Sequence, residues 1–363
     1  RPSTVLRAGA LFLVLPLFVA CGGEMEEEAN GDTAPFSSPE AAARPMDLPN
    51  PFGERIERWG ELPGDREWGN VSAVHDGPDG QLIWVAERCG ANSCLGSDVD
   101  PVLEFDPEGN VQTSFGADLF VRPHGIFVDE EGNVWIADDQ GADEDELVEF
   151  PDSDDKGHQV IKFSPEGEIL MTLGTAGVAG DPPNHLTRPS DVVVADNGDI
   201  FVAEGHSNDT PPARISKFSS DGTFIQSWGT LGSEPGQFRT AHALALDTQG
   251  RLFVADRGNN RVQIFTQDGD FLDSWDQFGR PNDVFIDEND VIYVVDAQSD
   301  EETNPGMRRG VYIGTTDDGE VTAFLPADPD YNPGGSEGLA LDEAGNLYVG
   351  EIGVPGMTKY LRE

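Results

Sequence analysis

From about residue 50 the chain repeats one hydrophobic phrase. The copy from Arg122, RPHGIFVDEEGNVWIAD, holds an apolar run, a polar turn, a second apolar run and a closing acid. Its relatives are RPSDVVVADNGDIFVAEG from Arg188, TAHALALDTQGRLFVADRG from Thr240, RPNDVFIDENDVIYVVDA from Arg280 and GSEGLALDEAGNLYVGE from Gly335. A degenerate first copy, NVSAVHDGPDGQLIWVAER, starts at Asn70. Short apolar runs on either side of an Asp/Gly/Asn turn predict a strand, a hairpin and a second strand. Most copies continue into a third strand, such as RISKFSSDG or RVQIFTQDG, and a fourth, such as TFIQSWG or DFLDSW.

The phase is strict. His124 to Asp138, Ser190 to Glu204, His242 to Asp256, Asn282 to Asp296 and Glu337 to Glu351 are all fourteen residues apart. Four strands per unit, recurring every 40 (His242 to Asn282) to 66 (His124 to Ser190) residues, predict an all-β fold, a six-bladed β-propeller. The run Glu54 to Trp59 reads as a fourth strand and the run Lys359 to Leu361 as a third. The N-terminal strand is therefore expected to complete the last blade of a propeller spanning 50–363 and to remove the open sheet edges.

Charge changes the list of partners. The 363 residues carry 22 Lys plus Arg against 68 Asp plus Glu, a formal net charge of −46. Nucleic acid is excluded as a partner, because phosphate neutralisation needs clustered Lys and Arg, and anionic lipid surfaces are disfavoured for the same reason. A hydrophobic content of 37%, with 20 Phe and 6 Trp, still builds a core, so the acidity does not signal disorder. Glycine-x-serine-x-glycine, P-loop and dinucleotide fingerprints are missing, which leaves serine hydrolase and nucleotide chemistry unsupported.

The segment before the repeats reads as export machinery. An apolar run, Ala10 to Ala20, follows Arg7 and is too short to span a bilayer, which suits a signal peptide over 1–20. Residues 21–49 are rich in Gly, Glu, Ala, Ser and Pro and read as a flexible acidic tether. Leu17-Phe18-Val19-Ala20-Cys21 resembles the lipobox of bacterial lipoproteins. That resemblance implies cleavage before Cys21, lipidation of its sulfur, and contact with the membrane only through the lipid. Gly22 in place of aspartate then implies the outer membrane, facing the periplasm or exterior. The alternative is a plain secretory signal with an odd cysteine. Cys89 and Cys94 sit five positions apart in an exported chain, which predicts a disulfide. A metal-binding pair is the other reading, although no second pair exists to complete it.

The phase also locates a ring. The innermost strand of each blade borders the channel, and its equivalent positions read Ser72, His124, Ser190, His242, Asn282 and Glu337. Blades two, four and six, about 120° apart in a six-fold ring, thus present His, His and Glu. Such a set suits zinc with an open position for water or substrate. The alternative is a set of unconnected polar residues lining a wet channel.

Arg122-Pro123-His124-Gly125 and Thr240-Ala241-His242-Ala243-Leu244, within phrases that resemble NHL repeats, are similar to peptidyl-α-hydroxyglycine α-amidating lyase, a six-bladed NHL enzyme. The resemblance implies catalytic zinc on His124 and His242, with Glu337-Gly338 standing where the family has a third histidine and an aspartate. It also implies calcium on backbone carbonyls at Val74 and Ile126, with the missing carboxylate supplied here by Asp191 or Asp283. It implies an arginine at Arg88 gripping a substrate carboxylate, and it places the family's tyrosine on His206, a candidate proton acceptor. The residues alone leave Arg88 open as a surface group and His206 as an exposed loop histidine. The substrate implied is a peptide or small molecule at the channel mouth of a monomer, cleaved to an amide and glyoxylate. The rival reading is a non-catalytic propeller that holds a peptide or an envelope protein at that mouth. The acidic tract Asp138 to Glu146, with Asp152 to Asp155, reads as a solvated insertion.

Overall fold

The computed structural model describes residues 47–328, 330–332 and 335–363. The expected signal peptide 1–20, the Cys21 lipidation site and most of the tether lie outside the described residues. Strand after strand pairs antiparallel with its predecessor to give six four-stranded sheets, a six-bladed β-propeller. Blades one to five occupy 71–115, 123–173, 189–228, 241–275 and 281–326. The sixth consists of Ser336–Leu341, Leu347–Glu351 and Gly356–Arg362, and its outer strand is Phe52–Glu57.

Burial explains the two kinds of apolar run. Second strands such as Ile83–Glu87, Val134–Asp138, Ile200–Glu204 and Leu252–Asp256 are buried at every residue. A strand covered on both faces by neighbouring blades has no solvent side, so it reads as a continuous apolar run rather than an alternation. The outermost strands, Val111–Phe115 and Phe224–Trp228, alternate between covered and exposed positions. The apolar core is accordingly divided into six clusters, each made from two adjacent blades. Trp84 and Phe115 of blade one, for example, share a cluster with Ile136 and Phe163 of blade two. Trp59 and Tyr348 of blade six pack with Val71 and Phe105 of blade one.

The acid that closes each phrase has a structural duty. Asp138 accepts from the backbone N–H groups of Val121 and Arg122 at 2.9 and 2.6 Å. Glu204 accepts from Thr187, Asp256 from Arg239 and Asp296 from Arg280, at 2.8 to 2.9 Å. Each acid thus fastens the segment that leads into its own blade, satisfying buried donors that no strand could reach. This fixes the spacing of fourteen between the head of the first strand and the end of the second.

The closing strand behaves as expected. Arg55, Ile56 and Glu57 pair with Tyr360, Lys359 and Thr358, and the Trp59 N–H donates to the Met357 carbonyl. Leu48 and Pro49, assigned to the tether, already touch the propeller: Leu48 packs on the seam between blades four and five, and the Pro49 carbonyl accepts from Phe324 N–H. Cys89 and Cys94 are joined by a disulfide. In the acidic tract, Asp143 caps a short exposed helix, Glu144–Glu149. Asp138 and Asp139 are instead fully buried, so the solvated reading fails for the first two residues of that tract.

Candidate metal centre

Five of the six ring residues reach towards the next blade. Ser72 Oγ donates to the Pro123 carbonyl and Ser190 Oγ to the Ala241 carbonyl. His124 Nδ1 lies 2.7 Å from the Ser190 carbonyl, and His242 Nδ1 lies 2.5 Å from the Asn282 carbonyl. Asn282 Nδ2 donates to Glu337 Oε2 at 2.8 Å. A carbonyl oxygen only accepts, so both histidines carry their hydrogen on Nδ1 and turn the Nε2 lone pair to the axis.

Three imidazoles, not two, meet there. The nitrogens of His124, His206 and His242 and one oxygen of Glu337 lie within 4.8 Å of one another. His206 leaves the end of the second strand of blade three through Gly205, which has φ +100° and whose added Cβ would meet the Pro212 carbonyl oxygen at 1.8 Å. Only glycine makes that turn, and the turn swings His206 inward. Its Nδ1 is hydrogen-bonded to the Asp139 carboxylate. Burial opposes ionisation of Asp139, but the hydrogen bond from His206 and the surrounding positive charge outweigh it and hold the carboxyl far below its usual range.

The set fits a metal ion. His242 Nε2 stands 3.2 Å from His206 Nε2 and 3.4 Å from Glu337 Oε1, and His124 Nε2 stands 3.5 Å from the same oxygen. Ligands of a tetrahedral zinc bound at ~2.0–2.1 Å lie about 3.3 Å apart. Among the described residues, buried His124 Nε2 has no hydrogen-bond partner, an orphan of the kind a cation satisfies. The three Nδ1 atoms are each held by a carbonyl or carboxylate, the outer support that metal-binding histidines require. Burial, followed by the charge of Arg257, pushes His242 down to about 3, so it is the neutral ligand form. Burial, followed by the neighbouring imidazole of His124, also takes His206 well below its ordinary value.

Arginines surround the cluster on its upper side. Arg257 follows the strand-end Asp256 and donates to His242 Nε2 at 2.7 Å and His206 Nε2 at 2.9 Å. Arg88 occupies the same repeat position in blade one, but it is 2% exposed and no acid pairs with it. Its Nη2 has no hydrogen-bond partner among the described residues, and the surface reading of Arg88 is corrected by its burial. Burial, then Arg122, lowers its pKa to about 10. Asp139 and Arg257 were not singled out by sequence, and the signal was available: both follow the strand-end acid, as Arg88 does.

Beneath the ring lies a cavity of about 940 Å³ with the six ring residues among its walls. Val74, Ile126, Asp191 and Asp283 line it too, apart from the histidine cluster. Asp191 accepts from Leu244 N–H and Asp283 from Leu339 N–H, each across a blade seam. Burial pushes Asp191 up to about 7, and burial with the Asp191 charge raises Asp283 further. Both carboxylates are engaged as inter-blade ties.

Residues 238–265 match the NHL repeat model. Peptidyl-glycine alpha-amidating monooxygenase B of Xenopus laevis is 39% identical over 170 residues, 45% of this chain and 17% of that protein. A probable peptidyl-alpha-hydroxyglycine alpha-amidating lyase of Caenorhabditis elegans is 36% identical over 160 residues, 43% and 40% of the two chains. This chain carries an NHL repeat in a six-bladed propeller and resembles the amidating lyases. It spans less than half the length of those curated relatives. Among solved structures, a streptogramin B lyase shares the fold with a TM-score of 0.53, 13% identity and coverage of 85% of this chain and 98% of that one.

Proposed function

We propose that the protein is a metal-dependent lyase that cleaves a C-terminal α-hydroxyglycine unit into a peptide amide and glyoxylate. The observation that carries the reading is the buried convergence of His124, His206, His242 and Glu337 beneath Arg88 and Arg257. The resemblance supplies a third ring histidine and a loop tyrosine. This chain has Glu337 on the ring and His206 on the loop, so three imidazoles and one oxygen group are kept with two positions exchanged. His124, His206 and His242 would hold zinc, with Glu337 beside it.

A bound zinc supplies a Lewis acid that acidifies a nearby hydroxyl. Arg88, with its free Nη2, grips the substrate carboxylate through the forked geometry that suits it. Glu337 ionises despite burial, because His124, His242 and Arg257 around it outweigh the desolvation. It takes the proton of the α-hydroxyl. The oxygen then forms the aldehyde C=O, the Cα–N bond breaks, and the amide nitrogen leaves with the proton returned from Glu337. Burial of these groups keeps bulk water from competing for that proton.

Glyoxylate release from benzoyl-α-hydroxyglycine tests the reading. The zinc-supplied protein should exceed the spontaneous rate, and Glu337→Gln should lose at least about 100-fold, the usual scale for general acid–base catalysis. A wild-type rate equal to the spontaneous one overturns the lyase and favours the binding scaffold. Arg257 gives a second result of opposite sign. Its charge sits against two ligand nitrogens, so Arg257→Gln should tighten zinc by at least about tenfold, a floor well inside the roughly 4 kcal/mol of repulsion between unit charges 4 Å apart at intermediate dielectric, while slowing glyoxylate release. Weaker zinc binding in calorimetric titration would contradict that placement of Arg257.

A further inference from the structure

Two more arginines stand at the mouth and have no part in the chemistry above. Arg122 heads blade two and Arg188 heads blade three, each just before a proline that opens the innermost strand. Their side chains are 22% and 32% exposed, against 2% for Arg88 and 12% for the Arg257 side chain deeper in. Both face one carboxylate: Arg122 Nη1 lies 3.8 Å and Arg188 Nη2 3.6 Å from Asp139 Oδ2. That oxygen is already taken by His206. Nε of Arg122 and Nε of Arg188 are buried without a hydrogen-bond partner among the described residues.

The charges at the mouth therefore do not balance. Arg88, Arg122, Arg188 and Arg257 face Asp139 and Glu337, while Asp138 spends its oxygens on the Val121 and Arg122 backbone N–H groups. Cationic groups packed this closely and mostly out of water are costly unless an anion completes them, even in a chain of net charge −46. One substrate carboxylate answers the deep pair. The rim pair is left, partly exposed, sharing the single Asp139 Oδ2 that His206 already holds, with the Gln140 amide oxygen as the other side-chain acceptor on Arg122.

We propose that the mouth selects substrates with a second anionic group next to the scissile unit, with Arg88 and Arg257 taking the terminal carboxylate and Arg122 and Arg188 an acidic penultimate side chain. The substrate backbone in this proposal rests on the amidating-lyase reading, but the anion preference has its own readout. Guanidinium forks hold carboxylates by paired charge-assisted hydrogen bonds, and a position with no carboxylate leaves them desolvated and unpaired.

The test is calorimetric binding of two stable peptides, acetyl-Glu-Gly and acetyl-Gln-Gly, to the zinc-supplied protein. The acidic peptide should bind at least about tenfold more tightly, the scale of one hydrogen bond to a charged group. In R122Q/R188Q the ratio should fall to near one, and in R122K/R188K, which keeps the charge, part of it should return. Equal affinity in the wild type, a ratio that survives in R122Q/R188Q, or no binding of either peptide overturns the proposal. Glyoxylate release from acetyl-Glu-α-hydroxyglycine separates the two ideas. The predicted ratio without glyoxylate leaves the anion mouth standing and removes the lyase, and glyoxylate without the ratio does the reverse.

Discussion

Replacing His124 or His242 by alanine is expected to weaken zinc binding by at least about 100-fold. Loss of an outer support costs 10–100-fold in metal affinity, so loss of a ligand itself sets a floor near the top of that range. Ring neighbours divide in an instructive way. Ser190→Ala keeps the backbone carbonyl that fixes His124 and should retain the metal. Asn282→Ala frees Glu337 Oε2 from its hydrogen bond but keeps the carbonyl that fixes His242, so it should retain the metal and slow glyoxylate release. Metal stoichiometry of the purified variants beside the wild type is the measurement. A full complement of zinc in His124→Ala and His242→Ala, or a wild type that binds none, would end the metal-centre reading.

A chain shortened to begin at Gly64 is expected to lose cooperative unfolding, whereas one beginning at Leu48 keeps it. The shorter chain lacks the outer strand of blade six and two buried aromatics, Phe52 at 3% and Trp59 at 6% exposure. Truncating one large buried aromatic costs about 3–5 kcal/mol. Losing two, with the Arg55 to Glu57 ladder, rivals the roughly 5–15 kcal/mol by which a domain is stable at all. Thermal melts followed by circular dichroism compare the chains. Identical transitions would mean that blade six holds without its fourth strand.

The fold was legible because the physics that makes a blade is periodic. The closing acid must reach the N–H groups ahead of its own first strand, so its distance from the ring position is constant. That constancy placed His124, His242 and Glu337 on one ring without any structure. The loop residues were harder for a matching reason. Beyond the strand-end acid the connections differ in length, so Arg257 follows its acid by one residue and His206 by two. Asp139 was hidden differently: it lies among exposed acids of like composition, and only its position after Asp138 marks it as buried. Val74, Ile126, Asp191 and Asp283 line one cavity, as their shared phase in the repeat implies, and Asp191 and Asp283 also tie blades together.

The six shared apolar clusters bear on how such a chain can change length. No blade owns a core: each contributes half of two seams, so a blade removed or added alone would strand apolar surface on both flanks. A linear array of repeats solves this with polar terminal caps, but a ring has no ends to cap. Variation must therefore be confined to the connections, where blade two accommodates its acidic insertion while the second strand and its closing acid stay in register. The unit that persists or fails as a whole is the closed ring, and the blade is only its period.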